Sequence, residues 1–306
     1  MWTPEFDRFV APARRAPEIW RLVAGLVLAV AAWAAIGFGL MAVVAGLAGP
    51  EEAEAWLARV AAGETPTAVL VMLAAVGGLL AGTALAARAL HGRGLASLLG
   101  PGIGRPFLAA AAICLAVAAA AALLPRDFAL VPNTPPGLFL SFLPLALAVL
   151  LLQTGAEEVL FRGYLQTQLA ARFRHPAVWM GLPSVLFGLA HLDPAGAGDA
   201  AWWIVAATTL FGLAAADLTR VTGNVGAAWG LHFANNCLAV LVVSVDGPLS
   251  GLSLWTTPFG LAQADVLVPL LAQDMALIVI VWAFIRLWLA RRPPDARAAP
   301  DRPGAA

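Results

Sequence analysis

From residue 22 to residue 289 the sequence is a succession of long apolar runs broken by short polar connections. A helix crossing a bilayer needs roughly 20 apolar residues, and its backbone groups must be satisfied inside the segment because no water is at hand. Eight runs qualify as candidate spans: 22–48, 66–87, 106–124, 138–160, 177–192, 201–217, 224–244 and 266–289. The fifth and sixth are short, and the fourth keeps a helical pattern past the bilayer as far as Arg172. The predicted fold class is an all-α polytopic membrane protein, about eight transmembrane helices bundled around an intramembrane polar cavity. Composition agrees: 61% of the 306 residues are hydrophobic and 12% charged, against about 25% charged in soluble domains.

The arginines orient the chain. All 18 basic residues are arginine, and the net charge is zero, which argues against a nucleic-acid partner. With the N-terminus inside, 15 of those 18 arginines fall in cytoplasmic segments, whereas Arg59 and Arg126 alone fall outside and Arg162 lies within a motif. The opposite loops carry Glu51, Glu52, Glu54, Glu64, Asp193 and Asp199. This is the positive-inside pattern, with both termini cytoplasmic. The arginine-only basic set and the abundant alanine suggest a GC-rich bacterial genome, hence an inner-membrane location.

The first apolar run follows about 20 more polar residues and is too long for a signal-peptide core, so it is expected to be an uncleaved first membrane helix. Residues 1–21 are expected as a cytoplasmic segment, 22–136 as N-terminal membrane helices, and 291–306 as a disordered cytoplasmic tail rich in Pro, Ala, Asp and Arg. Residues 51–62 suit a short helix on the outer surface. The Gly-rich stretch 88–105 lacks the preceding strand that a nucleotide loop needs. Gly78-x-x-x-Gly82 and Gly226-x-x-x-Gly230 predict close helix contacts. Cys114 and Cys237 are too few and too far apart for a disulfide framework or zinc cluster, and read as small buried hydrophobes.

Three short polar motifs interrupt this apolar background: Glu157-Glu158-x-x-x-Arg162, Phe187-x-x-x-His191 and His232-x-x-x-Asn236. Ionisable groups inside a membrane are costly and are functional by default. On a helix, Glu158 and Arg162 share a face and can pair, while Glu157 points about 100° away and stays available as a base. His232 and Asn236 also share a face, and two donors side by side in a low dielectric can hold an oxyanion. Each motif has a plain structural reading as well: a charged patch at a helix exit, a packing histidine, interhelical glue. Together, on adjacent apolar helices, they point to a buried hydrolytic site. His91 and His175 fall in expected cytoplasmic loops, where they would be solvated.

Other protease chemistries lack their residues. There is no His-Glu-x-x-His zinc motif. Ser184 and Ser250 have no nucleophile setting. Gly196-Ala197-Gly198-Asp199 imitates half of an aspartyl site, but it sits in a polar outer loop without a partner aspartate on a preceding helix.

The strings Glu157-Glu158-Val159-Leu160-Phe161-Arg162-Gly163, Phe187-Gly188-Leu189-Ala190-His191 and His232-Phe233-Ala234-Asn235-Asn236 resemble the three signatures of the CPBP intramembrane proteases. That family includes the type II CAAX prenyl endopeptidases and the bacterial Abi proteins. The resemblance covers roughly 137–245, which would be the catalytic core, with 246–290 as an outer loop and last span. It implies an eight-helix bundle with a conical cavity open to the cytosol. It further implies that Glu157 with His191 activates the attacking water, that His232 and Asn236 stabilise the oxyanion, and that Glu158 and Arg162 support the site. Glu157, His191 and His232 could supply three ligands to a zinc ion, although a metal-independent Glu/His mechanism, with no cofactor, is favoured. The expected partners are the lipid bilayer and a peptide or protein substrate, lipidated in the CAAX case. The alternative class is a non-proteolytic scaffold or immunity protein that uses the same cavity to hold a partner.

Overall fold

The computed structural model describes residues 2–291. The expected tail, apart from Arg291, lies outside the described residues. The chain is an all-α polytopic membrane protein. Among the described residues, six helical runs are long and apolar enough to cross a membrane: Ile19–Ala48, Pro66–His91, Gly104–Ala121, Pro136–Arg172, Pro194–Thr222 and Ala264–Ala290. The expected fifth and seventh spans are present as shorter apolar helices, Ala177–Leu189 and Gly226–Val242. Large apolar side chains such as Phe38, Leu47 and Trp202 point outwards. Exposed apolar side chains of this kind suit lipid contact rather than water.

The N-terminal segment is folded, not merely polar. Helix α1 (Pro4–Val10) is capped by the Thr3 hydroxyl, which accepts from the Phe6 N–H. That hydroxyl in turn donates to the Arg220 carbonyl at 2.6 Å. Phe6, Phe9, Val10 and Ala13 are buried, and Phe6 meets Trp179 with ring centroids 5.0 Å apart. The segment therefore closes the arginine-rich end of the bundle.

Helix α2 (Ile19–Ala48) leads to the short α3 (Ala53–Ala62), close to the outer helix expected at 51–62. The second span is split at Gly77 into α4 (Pro66–Val76) and α5 (Gly78–His91). Gly78 and Gly82 let α5 approach α2: a Cβ at Gly82 would lie 2.7 Å from the Ala29 Cα. His91, expected in solvent, is instead buried. Its Nδ1 lies 2.9 Å from the Ala16 carbonyl and its Nε2 2.8 Å from the Tyr164 hydroxyl. The helix ends only at Gly92, so the residue assigned to a loop sits on the last turn, against the fourth span.

Between α6 (Leu95–Leu99) and α7 (Gly104–Ala121) the chain turns back into the bundle. Arg93, just before α6, is buried and donates to Thr167 Oγ1 at 2.9 Å and to the Ser97 and Gly163 carbonyls. Burial brings its pKa down to about 10, so it keeps its charge at neutral pH.

The fourth span begins with α8 (Pro136–Glu158), passes through a π-helical stretch, Val159–Gln166, and ends as α9 (Thr167–Arg172). Its 37 residues make about 55 Å of helix, longer than the roughly 30 Å hydrocarbon layer. The extension to Arg172 read from the sequence is thus present. A second π turn, Ala177–Gly181, precedes α10 (Leu182–Leu189). After α11 (Pro194–Ala197), α12 (Ala201–Thr222) packs on α10, with Gly188 against Thr209 and Gly212 against Ser184. Helix α13 (Gly226–Cys237) lies on α7, where Gly226 faces Ile103 and Gly230 faces Phe107. A third π turn, Leu238–Val242, follows it.

The end away from the arginines carries a small sheet absent from the all-α expectation: β1 (Val131–Pro132), β2 (Val243–Asp246) and β3 (Trp255–Gly260), in the order β1-β3-β2. β1 pairs antiparallel and β2 parallel to β3. The last helix, α14 (Ala264–Ala290), is fastened to α12 through Asp217, which accepts from Arg220, Trp282 and Arg286.

Candidate active site

The first motif sits where α8 gives way to the π stretch. Arg162 donates from Nη1 to Glu158 Oε1 at 2.9 Å, the pair expected from their spacing. Both side chains are fully buried, at 2% and 0% exposure. A guanidinium stripped of water needs a carboxylate this close, and the Gly212 carbonyl takes a second, longer bond from it at 3.4 Å. Gly163 follows for a steric reason: a Cβ there would strike the Leu98 carbonyl.

Helix α13 brings the third motif onto the first. His232 Nδ1 lies 2.8 Å from Glu158 Oε1, and Nε2 lies 3.5 Å from Glu157 Oε2. A carboxylate only accepts, so Nδ1 carries the hydrogen. Nε2 and Glu157 Oε2 then face each other across a gap that one proton can bridge. Glu157 Oε2 is buried and has no hydrogen-bond partner. An unpaired buried carboxylate oxygen is costly to keep, and the site retains one beside an imidazole.

The second motif supplies the aromatic centre and a second imidazole. The Phe187 ring lies 4.9 Å from the His191 ring, 5.8 Å from that of His232 and 5.1 Å from that of Phe161, centroid to centroid. The Arg162 guanidinium carbon stands 4.7 Å from the same ring. Phe187 therefore touches all three motifs. His191 falls in the turn closing α10, where Nδ1 is 2.8 Å from the Phe187 carbonyl. That carbonyl only accepts, which leaves Nε2 of His191 as the free acceptor. His191, His232 and Asn236 line one cavity of about 140 Å³, along with Phe187 and Phe211. Glu157 meets His232; it makes no ion pair with His191.

Two polar residues were not singled out from the sequence. Gln153 Oε1 accepts from Asn236 Nδ2 at 3.0 Å, which orients the amide and leaves its second N–H free. Gln153 stands one helical turn before Glu157 in an apolar run, and that i,i+4 spacing was the available signal. Asp274, on α14, lines the same cavity.

Glu157, His191 and His232 are the residues that could serve as zinc ligands. Among the described residues no three His, Cys, Asp or Glu side chains form a group able to hold a metal ion, and His232 is engaged by the Glu158 carboxylate through Nδ1. No step below runs through a metal.

The fold and these motifs define a polytopic membrane protein with a buried Glu-Arg-His centre. Residues 139–238, which contain all three motifs, match the family described as type II CAAX prenyl endopeptidase Rce1-like. The resemblance read from the motifs therefore holds over that segment, which is similar to the CAAX-protease family. The uncharacterized protein YyaK of Bacillus subtilis (strain 168) is 26% identical over 156 residues, 50% of this chain and 50% of that protein. The match thus spans about half the length of that relative. No solved structure matches.

Proposed function

We propose that the protein is an intramembrane endopeptidase in which Glu157 activates water for attack on a peptide carbonyl. The observation that supports this reading best is the unpartnered Glu157 Oε2 held 3.5 Å from His232 Nε2. A base beside a second proton carrier is what general acid–base hydrolysis needs. Glu157 takes one proton from water as the oxygen adds to the carbonyl carbon. The free Nε2 of His191 accepts from that water and orients it. The free N–H of Asn236 faces the oxygen on which charge develops. The proton held between Glu157 and His232 then passes to the leaving nitrogen as the C–N bond breaks. Glu158 and Arg162 hold His232 in place.

No step of this scheme is assigned to a metal. The substrate is a membrane-embedded or lipidated peptide, and the protein sits in the inner membrane with its arginine-rich end in the cytoplasm, in keeping with the positive-inside pattern.

The test is cleavage of a quenched prenylated CAAX peptide and a library of apolar peptides by the full chain in liposomes. Wild type, Glu157→Gln and His191→Ala are compared with and without a zinc chelator. Cleavage that is lost in both variants and indifferent to chelator supports the proposal. Folded wild-type protein that cleaves nothing would instead favour the scaffold or immunity reading.

A further inference from the structure

Asp274 stands about 15 Å along α14 from its start at Ala264, near the middle of a roughly 30 Å hydrocarbon layer. A carboxylate at that depth calls for a partner, yet no hydrogen bond or ion pair reaches it from the described residues. Its side chain is instead exposed, and it is the only carboxylate on the wall of the cavity that holds His191 and His232. It also borders a second, larger cavity of about 740 Å³, walled mainly by apolar side chains of α7, α13 and α14 such as Val117, Leu231 and Leu277. Asn235, Asp274 and Ile278 line both spaces and so mark their junction. The other charged groups of the larger cavity, Arg126 and Asp127, lie in the connection between α7 and α8.

An apolar chain lying in the larger cavity reaches the histidines only past Asn235 and Asp274. We infer that Asp274 is a specificity-determining residue, receiving a cationic or N–H-rich group of the substrate next to the bond to be cut, while the apolar flank fills the larger cavity. The substrate supplies the cation that the protein withholds. A carboxylate at the same subsite, including a free C-terminal one, meets like charge at short range in a low dielectric and is rejected. This inference rests on the peptidase reading and deepens it.

The test uses the full chain in liposomes and a fluorogenic apolar peptide series in which one position at a time is Lys, Gln or Glu. The ratio of kcat/KM for Lys against Glu is read within each variant, so differences in folded fraction cancel. Wild type should prefer Lys at one position near the cut by on the order of tenfold. Asp274→Asn should bring that ratio close to one, Asp274→Glu should keep its sign, and Asp274→Lys should invert it. A wild type without preference, or an Asp274→Asn variant that keeps it, overturns the inference while leaving the peptidase intact. A wild type that cleaves no peptide at all removes the peptidase reading and this inference with it.

Discussion

The buried pair between Arg162 and Glu158 allows a quantitative prediction. Their N–O distance is 2.9 Å and neither side chain is more than 2% exposed. With charge centres roughly 4 Å apart, the attraction is about 4 kcal/mol at an effective dielectric of 20. Arg162→Met removes the cation and leaves the Glu158 carboxylate buried with His232 as its remaining partner. Breaking such a pair from one side costs about 3–5 kcal/mol. Glu158→Gln strands the guanidinium between Phe187 and the Gly212 carbonyl and should cost a similar amount. The double variant keeps an acceptor for His232 Nδ1–H, since a glutamine oxygen still accepts, and it buries no lone charge. Its loss should be far smaller than the sum of the single losses, with a coupling of about 3 kcal/mol. Equilibrium unfolding in mixed micelles, followed by tryptophan fluorescence, measures all four proteins. Single variants within about 0.5 kcal/mol of wild type, or a double variant equal to the sum, would refute the claim that this pair is a desolvated structural unit.

Other outcomes follow from the same geometry. Gln153→Leu frees the Asn236 amide to rotate and removes one oriented donor; kcat should fall about tenfold, the loss of roughly 1.4 kcal/mol, with a smaller change in KM and little change in stability. A fall in KM alone, with kcat untouched, would contradict the orienting role. Gly82→Ala forces α5 off α2, because its Cβ would stand 2.7 Å from the Ala29 Cα; overpacking of that kind costs about 1–3 kcal/mol, read as a lowered Tm in detergent. His91→Phe removes the bonds to Ala16 and Tyr164 and strands the buried Tyr164 hydroxyl, at a cost of about 1–3 kcal/mol, whereas His175→Phe, at an exposed position, should leave thermal unfolding unchanged.

Much of the architecture was legible because a bilayer imposes length and apolarity on each crossing helix. The apolar runs, the overlong fourth helix and the two small-residue contacts at Gly78/Gly82 and Gly226/Gly230 all follow from that. Other features depend on long-range packing and leave little local trace. The π stretch at Val159–Gln166 adds backbone to a helix without changing its residue types. The short strands at 131–132, 243–246 and 255–260 form only because two connections meet at one end of the bundle. Residues 1–21 fold because Phe6, Phe9 and Val10 find Trp179 and its neighbours. His91 was misplaced for the same kind of reason: a polar residue near a glycine reads as loop until Tyr164 and the Ala16 carbonyl are brought beside it. At the site, the pairing of Glu158 with Arg162 was visible in their spacing. Its junction with His232, 74 residues on, was not, nor was the support that Gln153 gives Asn236. Asp274 was passed over as one charge in a long apolar run.

The most direct measurement is hydrolysis in water enriched in oxygen-18, by the full chain in liposomes, with products read by mass spectrometry for wild type and Glu157→Gln. The account predicts one heavy oxygen in the new C-terminal carboxyl group and no product above background from the variant. Cleavage by Glu157→Gln at the wild-type rate would contradict it.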